Sequence, residues 1–261
     1  MIALDFGFGA LEQDFWRVVF LMTRIGAAMM AAPFFGAALV PVTVRVCATG
    51  AVAVFVAAWM PAIAAPPALF TIAGLLAVLG EVLVGVSLGF VLQIAFAAPT
   101  IAAELIGGGM GMSMATAADP TGGNQTTAFG QFFTIVLTLI FLAMGAHLHF
   151  IGLVVESYDA FPPGQTWLGA ERFATIASFA GSMLETAVRI ALPVTLVLLL
   201  VQVLTGVLSR SAPSLNLFAL GLPAGVLAGI TALILAMPVI YEQLADIVVT
   251  GMEQAEFAVL R

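Results

Sequence analysis

The chain has 261 residues, of which 62% are hydrophobic and 8% are charged, with a mean hydropathy of +1.19 and a formal net charge of −7. Soluble domains carry roughly 25% charged residues, so this chain has too little charge to cover a surface that faces water. It has no lysine, and its seven arginines are too scattered for the basic stripe of a nucleic-acid-binding protein, so no nucleic-acid partner is expected. A single cysteine, Cys47, excludes an internal disulfide and a cysteine-based zinc site.

Charge-free apolar runs recur along the chain. They are typical of membrane-spanning helices, because a charge inside the bilayer costs about 2.5–3.5 kcal/mol on insertion scales and a span needs about 20 apolar residues. With glycine, proline and polar clusters taken as breaks, the sequence predicts six long apolar helices, at residues 15–32, 46–64, 69–98, 126–154, 175–208 and 215–240. The expected fold class is therefore an all-α membrane protein.

Two kinds of connection join these predicted helices. Short turns that contain proline occur at 32–41, 65–67 and 209–214, where they are typical of helical hairpins. Residues 99–125 are rich in glycine, which lowers helix stability by about 1 kcal/mol per residue relative to alanine, so they predict a short or broken helix followed by a flexible loop. Residues 156–172 predict an acidic amphipathic loop.

Isolated charges within apolar segments are the main candidates for special roles. Arg17 and Arg24 share one face of the first helix; Arg24 is expected to point into a protein interior or an aqueous lumen, and Arg17 to extend to the bilayer interface. Glu81 shares a face with Gly85 and Gly89, and small residues at this spacing let helices approach closely. We favour packing or assembly over proton relay for Glu81, because the sequence indicates no second ionisable group beside it.

The remaining polar candidates indicate no catalytic or metal site. Glu185 and Arg189 have the favourable i, i+4 order of an intrahelical ion pair at a membrane boundary. His147 and His149 lie on nearly opposite helix faces, which is unsuited to joint metal binding. Ser113 does not lie in a G-x-S-x-G nucleophile motif. The sequence therefore predicts a protein that is not an enzyme and that uses no cofactor or metal.

Methionine alternates with small residues in the glycine-rich segment, at Met110, Met112 and Met114. Because methionine is flexible and fills irregular gaps, this pattern suits a deformable seal around an object of changing shape. A methionine-rich turn in a protein core would have the same composition. Composition alone leaves both interpretations open.

Five motifs follow one another in a fixed order. They are Arg24-Ile25-Gly26 through Pro33-Phe34-Phe35-Gly36 to Arg45, then Glu81 to Phe90, Gly107 to Pro120, Phe141 to Leu148, and Ser209 to Phe218 with Gly221 and Pro223. In this order they resemble the FliR/SctT family, the export-gate subunits of flagellar and other type III secretion systems. One departure is Ala146, in a place where such proteins often carry Asn-Gly-His.

The resemblance implies a fusion of two subunit types, a FliP-like helical part at 1–174 and a FliQ-like helical hairpin at 175–261, built from bent hairpins. One copy would join FliP-like and FliQ-like subunits around an export channel in the bacterial inner membrane, at the flagellar basal body. FlhB-like and FlhA-like export proteins, membrane lipid and unfolded export substrates would be further partners.

The resemblance also implies roles for individual residues. A loop near 106–122 would plug the channel lumen, with the contributing residues Gly109, Met110, Gly111, Met112, Met114, Asp119 and Pro120. A second group is assigned to buried charge and assembly: Arg24, Glu81, Gly85, Gly89, Glu185, Arg189 and Arg210.

The leading functional hypothesis is therefore a component of the flagellar or type III protein export gate, which passes unfolded proteins across the inner membrane. The alternative is a proton-coupled small-solute transporter in which Glu81 is the coupling carboxylate. A third hypothesis, an intramembrane protease using Ser113 and His147, has the least support from the sequence.

Overall fold

Seven α-helices make up the regular structure of the residues that the computed structural model describes, which are 10–37, 40–60, 71–112, 128–163, 169–211 and 217–260. The helices are α1 (Ala10–Ala31), α2 (Val42–Trp59), α3 (Ile72–Gly109), α4 (Ala128–Ala143), α5 (Ala146–Ala160), α6 (Ala170–Ser211) and α7 (Leu217–Leu260). The predicted all-α fold class is confirmed, since these ranges contain helices and no strand.

Several predicted helix boundaries were wrong, each for a local reason. The third helix does not stop near residue 98, because α3 continues through Pro99 to Gly109. An apolar surrounding tolerates the loss of one backbone hydrogen bond at a proline better than it tolerates an open loop. The predicted helix at 126–154 is divided between α4 and α5 at Gly145, whose φ of 70° is left-handed.

The two ends of the predicted acidic loop and the end of the last helix also differ from expectation. Residues 156–160 belong to α5 and residues 170–172 to α6, so charged residues continue these helices. The last helix extends to Leu260 instead of ending near residue 240. Charge-free runs therefore mark the apolar part of each helix and not its full length.

Within the part of the chain that the structure describes, four helices are long and apolar enough to cross a membrane, namely α2, α3, α6 and residues 221–258 of α7, and α4 with α5 makes a fifth if the pair is one broken span. At 1.5 Å per residue, α3, α6 and α7 are about 57, 63 and 66 Å long. A bilayer hydrocarbon core is about 30 Å thick. These three helices are therefore too long to be simple upright spans.

One compact unit comprises Met1–Ala95, Met144–Phe179 and Val249–Arg261. Glycines bring α1 and α3 together within it. A Cβ atom on Gly89 would lie 2.6 Å from the Ala28 oxygen and 2.7 Å from the Ala32 nitrogen, and one on Gly85 would collide with the Arg24 oxygen. Only glycine permits such backbone approach.

The other compact unit comprises Phe96–Ala143 and Ala180–Val248. Its core includes an edge-to-face contact between Phe96 and Phe141, whose ring centroids lie 5.6 Å apart. Phe133 and Leu137 of α4 are fully buried. Both units are assembled from separate stretches of chain, and the division at residue 174 into FliP-like and FliQ-like parts stays a prediction.

The close packing of α1 on α3 predicts that G89A destabilises the protein, because its new methyl group meets backbone atoms that cannot move aside. The expected loss in the free energy of unfolding is about 1–3 kcal/mol, measured as a lower Tm of the detergent-purified chain. G152A is the matched control, because a Cβ atom at Gly152 of α5 meets nothing within 4 Å. Equal Tm values for the two variants would contradict the prediction.

Candidate functional site

A fully buried ion pair links α1 to α3. The Arg24 Nε donates to Glu81 Oε2 at 2.8 Å and its Nη2 donates to Oε1 at 2.9 Å, and both side chains are 0% exposed. Such bidentate pairing is geometrically specific and stronger than a neutral hydrogen bond. The second ionisable group that the sequence did not indicate for Glu81 is thus Arg24.

The rest of the Arg24 guanidinium is bound to the C-terminal turn of α5. Nη1 donates to the Ser157 carbonyl at 2.8 Å and to the Ser157 Oγ at 3.1 Å, while Nη2 donates to the Phe161 carbonyl at 2.8 Å. With the two bonds to Glu81 this gives each guanidinium nitrogen a partner. The positive charge also lies at the negative end of the α5 dipole, where a cation is favoured.

Tyr158 closes the cluster on another side. Its ring centroid lies 4.1 Å from the Arg24 Cζ, a cation–π distance, and its hydroxyl donates to the Leu21 carbonyl at 2.9 Å. One guanidinium therefore joins α1, α3 and α5. Because an unpaired charge in an apolar interior is very costly, these helices are held in the one arrangement that keeps Arg24 satisfied.

The sequence contains a pattern that indicates the pairing of Arg24 with Glu81, although the motifs did not predict it. Residues 25–44, 46–80 and 82–103 carry no charge, so Arg24 and Glu81 are opposite charges that each stand beside long apolar runs. Two such charges predict each other as partners. Sequence alone did not indicate Ser157, Tyr158 and Phe161, because they contribute ordinary backbone and aromatic groups.

The enclosure of Glu81 bears on the transporter alternative. A coupling carboxylate must exchange a proton with water, whereas Glu81 is 0% exposed and both of its oxygens accept hydrogen bonds from Arg24. This geometry favours a structural role for Glu81 over proton coupling.

Other arginines also donate to backbone carbonyls near helix ends. Arg17, which was expected at the bilayer interface, donates to the Met60 carbonyl just after α2 at 2.6 Å. Arg172 donates to the Ala258 carbonyl in the last turn of α7 at 2.8 Å. The last four carbonyls of a helix lack partners within it, so these arginines satisfy groups that an apolar surrounding would leave unpaired.

The remaining predicted charges are exposed. Arg189 Nη2 donates to Glu185 Oε1 at 2.6 Å, as the i, i+4 spacing predicts, but the two side chains are 69% and 64% exposed. Arg210 is exposed as well. Glu185, Arg189 and Arg210 were expected to be buried, but they are exposed in the isolated chain. Exposed apolar side chains such as Leu184 and Val188 lie near the ion pair on α6. Their part in assembly stays a prediction.

The glycine-rich end of α3 is an ordered helix terminus. The Gly111 N–H donates to the Gly108 carbonyl at 3.0 Å, and the Met112 N–H donates to the Gly107 carbonyl at 3.1 Å. Gly111 has a φ of 82°. This is a Schellman motif, in which glycine takes the left-handed position that ends the helix. The expected short or broken helix was therefore wrong up to this point.

Two of the predicted plug residues pack inside the chain. Met110 is 2% exposed, and its side chain lies directly on Gly229 of α7. The carbonyl of Gly109 accepts a hydrogen bond from Gln202 Nε2 of α6 at 2.9 Å. Met112 is partly exposed, and Met114, Asp119 and Pro120 lie outside the described residues.

A half-open cleft of about 210 Å³ lies beside this terminus, with Gln202, Thr205 and Leu222 among its lining residues. Among the described residues, no group of three or more histidine, cysteine and acidic side chains is placed to hold a metal ion. Ser113, the serine of the protease hypothesis, lies outside them. The predicted absence of a cofactor and a metal stays a prediction.

Long apolar helices with exposed apolar surface define a membrane-embedded all-α protein. Residues 15–250 match the family described as "Bacterial export proteins, family 1". The chain therefore belongs to this family, and it is a component of the export gate of a flagellar or type III secretion apparatus.

Relatives of the chain carry names from both kinds of apparatus. The flagellar biosynthetic protein FliR of Pectobacterium carotovorum subsp. carotovorum is 33% identical over 230 residues, which cover 88% of this chain and 86% of the relative. FliR of Escherichia coli is 30% identical with the same coverage. The secretion system apparatus protein SsaT of Salmonella typhimurium is 30% identical over 162 residues, 62% of each chain.

The buried ion pair predicts a large loss of stability in E81Q, because this change leaves the Arg24 charge buried without a counterion. Breaking a buried pair costs about 3–5 kcal/mol, measured as a lower Tm and a lower yield of folded chain in detergent. The double variant R24M/E81M should recover part of the loss, since it leaves no unpaired charge.

The control for this prediction is E185Q, which removes one partner of the exposed pair. Exposed pairs contribute about 0.2–1 kcal/mol, so the Tm of E185Q should stay close to that of the unaltered chain. A Tm of E81Q that equals that of E185Q would show that the buried pair does not hold the helices together.

Proposed function

We propose that this chain, with FliP-like and FliQ-like subunits, forms the channel through which unfolded proteins cross the bacterial inner membrane, and that the segment following α3 plugs this channel at rest. FlhB-like and FlhA-like export proteins and the unfolded substrates are the further partners. The chain acts by assembly and gating and not as an enzyme. Family membership supports the role of an export-gate component, and the exposed surface of α6 supports contact with partner subunits.

A stripe of exposed apolar side chains runs along α6. Its members recur every three or four residues and are each more than half exposed: Leu184, Val188, Leu192, Leu196, Leu199, Val203 and Val207. At this spacing neighbouring members lie side by side, and the stripe turns gradually around the helix axis. A contiguous apolar surface of this kind marks contact with lipid or with another protein.

The length of α6 favours protein over lipid along part of this stripe. The helix is about 63 Å long, twice the thickness of the hydrocarbon core, so lipid tails cannot cover all of it in an upright orientation. The exposed charges of Glu185 and Arg189 lie on the same helix, and charges that face lipid are costly. Neighbouring helices of partner subunits would satisfy both requirements.

The inner membrane and the flagellar basal body are the proposed location. Four or five helices among the described residues are suited to membrane crossing and support a membrane position, and relatives named flagellar biosynthetic proteins support the flagellar apparatus. The relative named a secretion system apparatus protein supports a type III secretion apparatus as the alternative location.

The plug is proposed from the chemistry of the segment that leaves α3. Methionines separated by small residues can deform around a passing chain, and the segment begins at the Schellman terminus of α3, which gives it a fixed origin. A plug of this kind closes the channel to ions while no substrate is present.

Deletion of residues 110–118 tests the plug. In cells that also express the partner subunits, the deletion should raise the resting conductance of the membrane to small ions, measured as a loss of membrane potential. S113A is the control, since a gate subunit needs no serine nucleophile and should stay closed and export-competent. Unchanged conductance after the deletion would reject the plug, and loss of function in S113A would instead support the protease hypothesis.

Native mass spectrometry of the detergent-extracted chain tests the assembly. The expected species is a hetero-oligomer that contains the chain with several FliP-like and FliQ-like subunits. A matched sample expressed without those subunits should lack this species. A lone monomer from cells that contain all partners would reject the channel proposal and favour the transporter alternative.

A further inference from the structure

The anchor is defined here as the residues Gly109, Met110 and Gly111. It packs against α6 and α7 at three places. A Cβ atom on Gly109 would lie 3.0 Å from Leu198 Cδ1, and one on Gly111 would lie 2.6 Å from Leu222 Cδ2. Either added methyl group would displace the end of a leucine side chain, and at Gly111 the left-handed φ independently favours glycine. The end of α3 is thus pressed against the C-terminal helices.

Met110 lies between these glycines and fills a socket on α7. A Cβ atom on Gly229 would collide with Met110 Cε and would lie 2.7 Å from its Cγ, and Met110 is 2% exposed. A methyl group at Gly229 would therefore force the methionine side chain to move. Gln202 adds a polar contact by donating to the Gly109 carbonyl at 2.9 Å.

The glycines just before the anchor contrast with it. Cβ atoms on Gly107 and Gly108 would meet nothing within 4 Å, so close packing does not explain them. Glycine weakens a helix by about 1 kcal/mol per residue relative to alanine. The last turn of α3 is therefore a weak stretch of helix, and the contacts of the anchor help to hold it in place.

We propose that Met110 is a positioning residue that fixes the origin of the plug to α6 and α7, and that it takes no part in sealing the channel. The proposal rests on the proposed plug function and refines it. It assigns Met110 to holding the end of α3 in place and not to the surface that seals the channel. Gln202 and Gly229 are positioning residues as well, because they contact Gly109 and Met110.

The proposal is tested by placing a methyl group in the socket. In a C47S background, M112C offers one thiol beside the anchor, and its rate of maleimide labelling in membranes that contain the whole assembly measures release of the α3 end. G229A should raise this rate roughly tenfold, the change that about 1.4 kcal/mol of overpacking gives.

G225A is the matched control for G229A. Gly225 lies one turn earlier on α7, and a Cβ atom there would be 3.7 Å from the Met110 oxygen, an ordinary van der Waals distance. Its labelling rate should equal that of the parent chain. A rate in G229A no higher than in G225A would overturn the anchor.

Substitutions of Met110 separate an anchor from a seal. M110A should label faster and leak at rest, whereas M110L, which keeps the volume, should do neither. In the double variant G229A/M110A the Met110 atoms that the added methyl would meet are gone, so its effect should not add to that of M110A. A leak in M110A together with a fully closed G229A would assign Met110 to the seal and reject the proposal. If the G229A protein does not accumulate in the membrane, the labelling rate of M110A tests the anchor in its place.

The Gln202 contact gives an independent arm. Q202L removes the donor to Gly109 and should raise labelling roughly threefold, in line with the modest net value of one hydrogen bond. T205V is the control, because Thr205 lines the same cleft but donates to the Gln202 carbonyl within its own helix. Equal rates in the two variants would remove Gln202 from the anchor.

The labelling assay also separates this proposal from the plug itself. If deletion of residues 110–118 leaves conductance unchanged, the plug is rejected, yet faster M112C labelling in G229A would still establish the anchor as a packing contact. If the deletion leaks and G229A labels and conducts like G225A, the plug stands and the anchor is rejected.

Discussion

The buried charge of Arg24 is the constraint on which the packing of α1, α3 and α5 depends. Polar groups are few in this chain, and Glu81, Ser157 and Phe161 are the residues that pair with the guanidinium. An unpaired charge in this surrounding would cost several kcal/mol. The cluster therefore specifies one arrangement of helices that apolar contacts alone, being non-directional, would leave less defined.

Backbone groups pose the same problem as charges in an apolar protein. Carbonyls near helix ends have no partner within the helix, and water is scarce around helices that lie in lipid. Arg17 and Arg172 donate to such carbonyls after α2 and near the end of α7. At the end of α3 the Schellman bonds of Gly111 and Met112 have the same effect without any charge. Scarce polar groups are thus concentrated where the backbone needs them.

Glycine supports function in two different ways in this chain. Gly85 and Gly89 let α1 and α3 touch, and Gly229 makes room for Met110, so these glycines create rigid contacts. Gly107 and Gly108 weaken the last turn of α3, although an added Cβ atom at either place would meet nothing within 4 Å. A weak helix end held by a well-packed anchor suits a gate subunit, because the position of the end then depends on its neighbours.

Composition and the length of the charge-free runs determined the all-α fold class and the membrane setting, because an apolar run of about 20 residues satisfies its backbone in lipid as a helix. The ordered motifs gave the family. Only the tertiary structure decided that Arg24 pairs with Glu81, 57 residues away, and that Met110 is an internal side chain on Gly229. Periodicity records which face of a helix is apolar, but it carries no information on which distant residue meets that face. Partners of this kind are therefore decided by packing.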